Sequence, residues 1–354
     1  MEDFMHTKQK IVVVGAGIVG AAMTYQLSKH NQNVTLIESH STAACEVTEK
    51  SFAWINPSGR VFSKSRPLYD AVLAEYHALE KELPGLNINW HGALTWGIAA
   101  NSEDSQIQRL NQQQMFELEP NLVEYPEEAN FADKEGALDP VLATNLLIKK
   151  AQENGATVLF DTKVIQIQKE DSVVVGVHTS NQFIEADVIV LAAGTAVPGL
   201  CLPLGIDVPV APSPSILIRM NAKEKIIHSL ISNEKFEARQ PNSKTLLAAE
   251  DYIDESGENG PEAVGKRAFE TLRYSLRGGE NLTLESISVG LRPMPEDGYP
   301  IVGFHDRVQG LYLAVMHPAI TLAPLVSRLA AKEIIGNMQV DELSSWRLSR
   351  FSVS

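Results

Sequence analysis

Residues 11–20 read Ile11-Val12-Val13-Val14-Gly15-Ala16-Gly17-Ile18-Val19-Gly20. Four β-branched residues in a row suit a strand buried on both faces of a parallel sheet, and they lead directly into a Gly-x-Gly-x-x-Gly turn. Residues 21–29 read on as a helix, and after a turn at 30–33 a second strand, 34–37, ends at Glu38. Each glycine has its own task in such a unit. Gly15 permits the tight turn, Gly17 lets the backbone approach a pyrophosphate, and Gly20 lets the helix pack closely on the strand. The helix N-terminus then presents free N–H groups to an anion. Glu38 stands 18 residues past Gly20, where a carboxylate accepts hydrogen bonds from both hydroxyls of an adenosine ribose and disfavours a 2′-phosphate. Strand, glycine turn, helix, strand and acid together predict a dinucleotide-binding unit.

The rest of the chain sets limits on partners and location. Its 354 residues, 44% hydrophobic and 21% charged, are enough for one large domain or two smaller ones without disulfide or metal staples. Forty-four acidic against thirty basic residues give a net charge of −14, a field that repels phosphate backbones, so nucleic-acid binding is not expected. The longest apolar stretch, residues 11–23, is interrupted by three glycines and is too short to span a bilayer. Lys8 and Lys10 before it and Gly20-Ala21-Ala22 within it mimic a signal peptide, but the second strand and its terminal Glu38 continue the nucleotide-binding pattern. Cys45 and Cys201 fit a reducing compartment, and without Cys-x-x-Cys or Cys/His ligand spacing no metal site is expected. A cytoplasmic location is the resulting expectation.

Further along, residues 69–83 have helical spacing and stop before Pro84-Gly85. Residues 90–99 read as a strand outside the first unit, 106–119 as a polar helix, and 138–154 as a helix capped by Asp139. Residues 158–160, 164–168, 173–179 and 183–185 suit a β-meander, followed by a buried strand, 188–191, returning to the main sheet. The proline-rich stretch 198–214 marks a crossing between domains. Strands and one helix alternate over 216–288, with a polar loop at 254–262. Asp297-Gly298 signals a tight turn, 311–315 a strand, and 320–335 a helix with Ala and Leu on one face.

Four blocks occur in order: Val13 to Gly20, Leu191-Ala192-Ala193-Gly194, Gly290-Leu291-Arg292-Pro293, and Ile320-Thr321-Leu322-Ala323-Pro324. In that order and spacing the chain resembles the D-amino-acid oxidase family of FAD-dependent oxidoreductases, on its glycine oxidase and sarcosine oxidase-like side. The resemblance covers nearly the whole chain, and the last two blocks are more specific than the first. It implies a mixed α/β fold: a Rossmann-like FAD-binding domain (residues 1–84, 138–205 and 288–354) interleaved with an antiparallel β-sheet substrate-binding domain (85–137 and 206–287). It further implies FAD as cofactor and hydride transfer from the α-carbon of an amine or amino acid to flavin N5, the imine then being hydrolysed. Glycine, sarcosine, D-amino acids, imino acids and opines all remain open as substrates. A homo-oligomer, or a flavin-binding subunit of a hetero-oligomeric amine or opine dehydrogenase, is compatible with the same blocks. An NAD-dependent dehydrogenase would share only the first of them.

Carried over position by position, the resemblance puts Gly15, Ala16, Gly17, Ile18, Val19 and Gly20 around the pyrophosphate. Glu38, with Ser39 beside it, falls at the ribose, and the backbone of Val164 at the adenine. Ala193 and Gly194 fall where the chain passes near the cofactor. Thr48, Ser51, Ala53 and Trp54 fall in a loop beside the flavin, with an ordinary surface loop as the competing reading. His317, Ala319, Ile320, Thr321 and Leu322 would line the flavin by backbone, the helix starting near Ile320 directing its dipole at the N1/O2 edge.

Arg292 would bind the substrate carboxylate, because a guanidinium forms a planar, two-bonded pair that fixes one face of an amino acid. Its plain alternative is a structural arginine paired with an acid such as Glu296. Arg239 is a second basic candidate, more simply read as a solvated strand-edge charge. The chain departs from the family pattern at Ala314 to Thr321, where Met316 and Ala319 replace two glycines. Either the loop is displaced or Met316 points toward the active site, core filling being the other role open to it.

Overall fold

The computed structural model describes residues 8–58, 66–97, 107–252 and 254–351. Lys10–Val14 lies inside a six-stranded sheet whose order is Ile301–Phe304, Leu311–Val315, Val188–Leu191, Lys10–Val14, Asn33–Ile37, Thr157–Leu159. All neighbours run parallel except Ile301–Phe304, which pairs antiparallel at one edge.

Alternation along the β-branched run explains the layers. Ile11 and Val13 pack with the helices Ile18–Lys29, Pro140–Glu153 and Ala319–Gly336, whereas Val12 and Val14 pack with Val164, Ile167, Val174 and Val177. Those last residues belong to a three-stranded antiparallel sheet, Val164–Glu170, Val173–Thr179 and Phe183–Glu185. The strand expected at 158–160 is therefore not part of the meander: Thr157–Leu159 pairs parallel with Asn33–Ile37 at the edge of the main sheet. Its three residues are too few for periodicity to tell an edge strand of one sheet from the first strand of the next.

A second, eight-stranded sheet takes the order Thr283–Pro295, Val210–Asn221, Thr245–Asp251, Glu237–Asn242, Leu230–Ser232, Ala93–Thr95, Glu128–Ala132, Gln108–Asn111. Ile216, Ile218 and Met220 turn one way, toward the helix Pro261–Ser275; Leu217 and Leu247 turn the other way and meet Phe52 and Ala137. That second face looks onto the glycine-turn layer.

Several boundaries differ from the sequence expectation. The first helix opens at Ile18, with Gly17 as its extended N-cap, so Gly20 sits inside the first turn. Residues 69–83 hold two helices, Arg66–Asp70 and Val72–Glu82, interrupted at Ala71. The helix expected at 106–119 is a strand followed by a helix. Asn111 accepts from Gln114 N and Gln114 returns a bond to Asn111 N, a capping box that starts Gln112–Leu118 and frees the preceding residues to pair with Glu128–Ala132. Of the strand expected at 90–99, Ala93–Thr95 forms; residues 98, 99 and 106 lie outside the described residues. Within 198–214, Pro212 and Pro214 lie inside the strand Val210–Asn221, in register with Pro293 and Leu291. Asp139 caps Pro140–Glu153, accepting from Val141 and Leu142 N–H at 3.0 Å.

Candidate active site

The two sheets enclose a cavity of about 470 Å³. On the glycine-turn side it is lined by Ile18, Thr48, Ser51, Ala53 and Trp54 and by Met316 to Thr321; on the other by Ser232 to Glu234, Phe236, Glu237, Ala249 to Asp251 and Arg292. The loop residues and Arg292, separated by some 240 positions in the chain, thus share one space.

The loop is held by backbone and buried polar contacts. Thr48 Oγ1 accepts from Ile18 N at 3.2 Å, joining the loop to the helix N-terminus, and Ser51 Oγ accepts from Ala53 N at 3.0 Å. Ala53 takes a left-handed conformation, φ +58°, a strained choice for a residue with a Cβ. Trp54 Nε1 donates to Glu135 Oε2 at 2.8 Å, and the same carboxylate accepts from Ser58 N at 3.0 Å. Trp54–Ile55 also pairs with Gly136–Ala137. Glu135 had no motif to announce it. Its role arises from a contact 81 residues away in sequence.

Met316 is buried with Ala314 and Ile320 and also borders the cavity, so the two roles left open for it coincide in one position. The helix Ala319–Gly336 starts beside it with Pro318 as N-cap. Thr321 Oγ1 accepts from Asn56 N at 3.1 Å and donates to Trp54 O at 3.3 Å, tying that helix to the loop. Leu322 is fully buried in the core behind.

Arg292 lies on the cavity wall. Its Nε donates to Ser213 O at 3.3 Å and its Nη2 to Ser213 Oγ at 2.9 Å and Pro214 O at 3.2 Å. Nη2 is also 2.9 Å from Asp251 Oδ1. The acid beside it is therefore Asp251, not Glu296, whose N–H bonds Pro209 O. Among the described residues Nη1 makes no hydrogen bond. Arg239 corrects its expectation: it is 5% exposed, and Nε donates to Phe52 O at 2.6 Å and Nη2 to Leu138 O at 3.1 Å. Burial lowers its pKa to about 10. It clamps the two layers and does not face solvent.

Glu237 and Asp251, both missed in the sequence, flank Arg292. Burial pushes the Glu237 carboxyl up to about 7, Ser232 and Arg292 opposing this and Glu250 and Asp251 reinforcing it. A raised carboxyl pKa contributes stability that is complete below the unfolded value near 4.5 and is lost as pH rises through about 7. Glu237→Gln should therefore be more stable than the parent at pH 8, by roughly 1–3 kcal/mol, and equal to it at pH 4, as urea midpoints will report.

In the turn before the first helix, Gly15 has φ +100°, and a Cβ there would fall 2.8 Å from Ala192 O and 2.9 Å from Ala193 Cα. Gly194 follows at φ +56°. Glu38 Oε2 accepts from Ala16 N at 2.7 Å and Oε1 from His40 N at 2.9 Å and Ser39 Oγ at 3.0 Å. Burial would raise its pKa, but these bonds together lower it, so the carboxylate is ionised. Thr162 N donates to Glu38 O at 2.9 Å, which brings Val164, two residues on, alongside that strand end.

This architecture, a mainly parallel sheet carrying the glycine turn, roofed across a cavity by a long sheet that is antiparallel except where Leu230–Ser232 pairs parallel with Ala93–Thr95, is that of a two-layer flavoenzyme. The chain belongs to the family of FAD-dependent oxidoreductases, whose model matches residues 10–333. It is 23% identical to glycine oxidase of Bacillus licheniformis over 94% of this chain and 95% of that protein. It is 28% identical to D-amino acid dehydrogenase of Agrobacterium fabrum over 60% of this chain and 52% of that one. The fold superimposes on glycine oxidase from Geobacillus kaustophilus with a TM-score of 0.85 at 19% identity, covering 97% and 99% of the two chains. L-proline dehydrogenase from P. horikoshii gives 0.85 at 18% identity, covering 98% of each. The protein is an FAD-dependent oxidoreductase.

The residues present fit FAD. Gly17 leaves open the space before a 12-residue helix, and among the described residues only Ile18 of its first turn has an N–H taken from outside the helix. Ionised Glu38 stands at the neighbouring strand end; its Oε1 is taken by Ser39 Oγ, His40 N and His40 Nδ1, while Oε2, bonded only by Ala16 N, can accept again. Glu38→Ala should weaken FAD binding about tenfold, as the loss of one charged hydrogen bond implies, while leaving the fold intact. Fluorescence titration of the apoprotein checks this; unchanged affinity would assign Glu38 to the Ala16 and His40 backbone alone.

Proposed function

We propose that the cavity binds an amine or amino acid against the cofactor and that Arg292 docks the substrate carboxylate. One observation carries the reading: a guanidinium on the cavity wall whose Nε and Nη2 are fixed by Ser213, Pro214 and Asp251, with Nη1 left unbonded. The names of the relatives, glycine oxidase and D-amino acid dehydrogenase, support an amino acid as substrate. FAD, when bound, would supply the oxidising power for removing a hydride from the carbon beside the substrate nitrogen, the resulting imine being hydrolysed by water. The chain's own residues orient and shield. Arg292 fixes the carboxylate so that the C–H bond is presented in one direction, while Met316, Ile320 and Phe236 exclude water from the reacting end. The N-terminus of Ala319–Gly336 stabilises negative charge developing at the cavity edge.

In this reading residues 1–84, 138–205 and 296–354 hold the cofactor and 85–137 and 206–295 form the roof; the crossing expected at 288 moves past Pro295 because the strand Thr283–Pro295, with Arg292 on it, belongs to the roof sheet. Cytoplasmic residence is supported by two unpaired thiols, Cys201 being buried with its pKa pushed up to about 12. No helix among the described residues is long and apolar enough to cross a membrane.

Anaerobic reduction of the bound flavin by a panel of amino acids and amines tests the reading, with air then admitted to report oxygen reactivity. Arg292→Lys keeps the charge and loses the planar fork, and Arg292→Ala loses both, so kcat/KM should fall in that order, by about a hundredfold for alanine. The loss should be larger for an amino acid than for the amine lacking its carboxylate. Equal losses on both would make Arg292 a support for the strand pair and remove the carboxylate from the reading.

A further inference from the structure

The roof of the cavity is acidic. Glu234, Glu237 and Asp251 border it with Arg292 among them and Lys50 across the cavity on the loop, whereas Glu250, opposite Ile216, turns its side chain to the other face of the sheet. Strand register brings the central groups together. Glu237 lies opposite Ala249, Asp251 is two residues beyond Ala249, and Arg292 lies opposite Ser213 in the same row, so all three share the sheet face turned toward the glycine-turn layer. Arg292 is already paired with Asp251, and Lys50 lies 3.6 Å from Glu49. Glu237 Oε2 accepts only from Ser232 Oγ, at 3.1 Å, and among the described residues no cation forms a salt bridge with it.

Asn233 stands beside Glu237 on the same wall, its amide sealed from solvent. Asn233 is 9% exposed, its Oδ1 accepts from Lys235 N at 2.8 Å and Phe236 N at 3.2 Å, and its Nδ2 has no partner. What the wall offers a ligand is the Glu237 carboxyl, which has no cation and calls for positive charge. A neutral ligand of the same shape would leave that carboxyl desolvated and unpaired.

We propose that the site selects an amine or amino acid carrying a second positive charge, Glu237 holding the distal ammonium or guanidinium while the reacting C–N end lies toward Met316 and Ile320. This rests on the cavity being the amine-oxidising site. It accounts for a roof with more carboxylates than cations, which a small neutral amino acid would not use. Because the ion pair forms in a partly enclosed space, its strength exceeds that of a surface pair.

The test uses the FAD-loaded protein at pH 8 without oxygen, following the flavin spectrum as ligand is added. Cadaverine is compared with pentylamine, and lysine of each hand with norleucine of the same hand; each pair differs in one ammonium group. The dicationic or basic member should bind at least tenfold more tightly, and the gap should close in Glu237→Gln, which keeps the side-chain shape. Equal binding within both pairs overturns the proposal, as does a gap that survives Glu237→Gln or a failure of both cadaverine and lysine to bind. Flavin reduction separates this from the underlying reading. Reduction by pentylamine and norleucine as readily as by their cationic partners leaves amine oxidation standing and removes the selectivity. Tight cadaverine binding with no reduction by any amine keeps the cation site and removes the oxidation.

Discussion

Glu333→Ala should lower the stability of the folded chain by about 3–5 kcal/mol, the range seen when one member of a buried ion pair is removed. Glu333 is 1% exposed in the helix Ala319–Gly336. It accepts from Arg347 Nη1 at 2.9 Å, from Arg347 Nη2, from Tyr312 Oη at 2.7 Å and from Val340 N at 2.7 Å. Alanine leaves a guanidinium, a phenol and an amide without their common acceptor. The guanidinium is the most demanding, since its remaining bonds are to Val302 O and Val340 O and its Nε already has no partner. Urea unfolding followed by far-UV circular dichroism measures the loss. A change under 1 kcal/mol would mean that water reaches Arg347 and the C-terminal segment docks by apolar contact alone.

Gly20→Ala should prevent the holoprotein from forming. A Cβ at Gly20 would lie 1.8 Å from Gly15 O, a backbone atom at the turn itself, and 3.5 Å from Ala192 Cβ. Nothing there can yield cheaply, because Gly15 is itself pinned at φ +100° against Ala192. The first helix must separate from the strand, and with it the anion site at its N-terminus. Gly17→Val should behave differently: the only atom near a Cβ at 17 is Thr48 Oγ1, 3.2 Å away, the tip of a side chain. That variant should keep native circular dichroism and lose the yellow colour, its FAD affinity falling roughly a hundredfold or more as the branched side chain fills the pyrophosphate's space. A yellow Gly20→Ala protein, or a Gly17→Val protein with full FAD content, would remove the glycine turn from the cofactor site.

These two glycines show what a linear reading recovers. The run from Ile11 to Gly20 could be read because strand, turn and helix are contiguous, and each glycine's task is set by neighbours a few residues away or by the adjacent strand. The block around Arg292 was legible as a motif. Its real acid partner was not, because Asp251 reaches it only through the register of one intervening strand, Val210–Asn221. Arg239 was misread for a related reason. Alternation along a strand gives the face a residue occupies, but not whether another layer covers that face. Glu333 belongs to no motif, and its donors, Tyr312, Val340 and Arg347, are brought together only by tertiary packing.

The Arg239 clamp ends on the carbonyls of Phe52 and Leu138 and on no side chain except the Phe52 ring, 5.5 Å from its guanidinium carbon. Every residue type offers a carbonyl. The joint between roof and floor is therefore nearly indifferent to the identities of its acceptor residues, and it does not depend on the cavity-lining positions Glu237 and Asp251 that sit beside it on the same sheet face. Natural variation, or a designer, can exchange the ligand-facing side chains of the roof while its anchorage stays in place. New substrate preferences in this scaffold should accordingly be reached by substitutions along the strands 237–242 and 245–251 without compensating changes in the loop that receives the clamp.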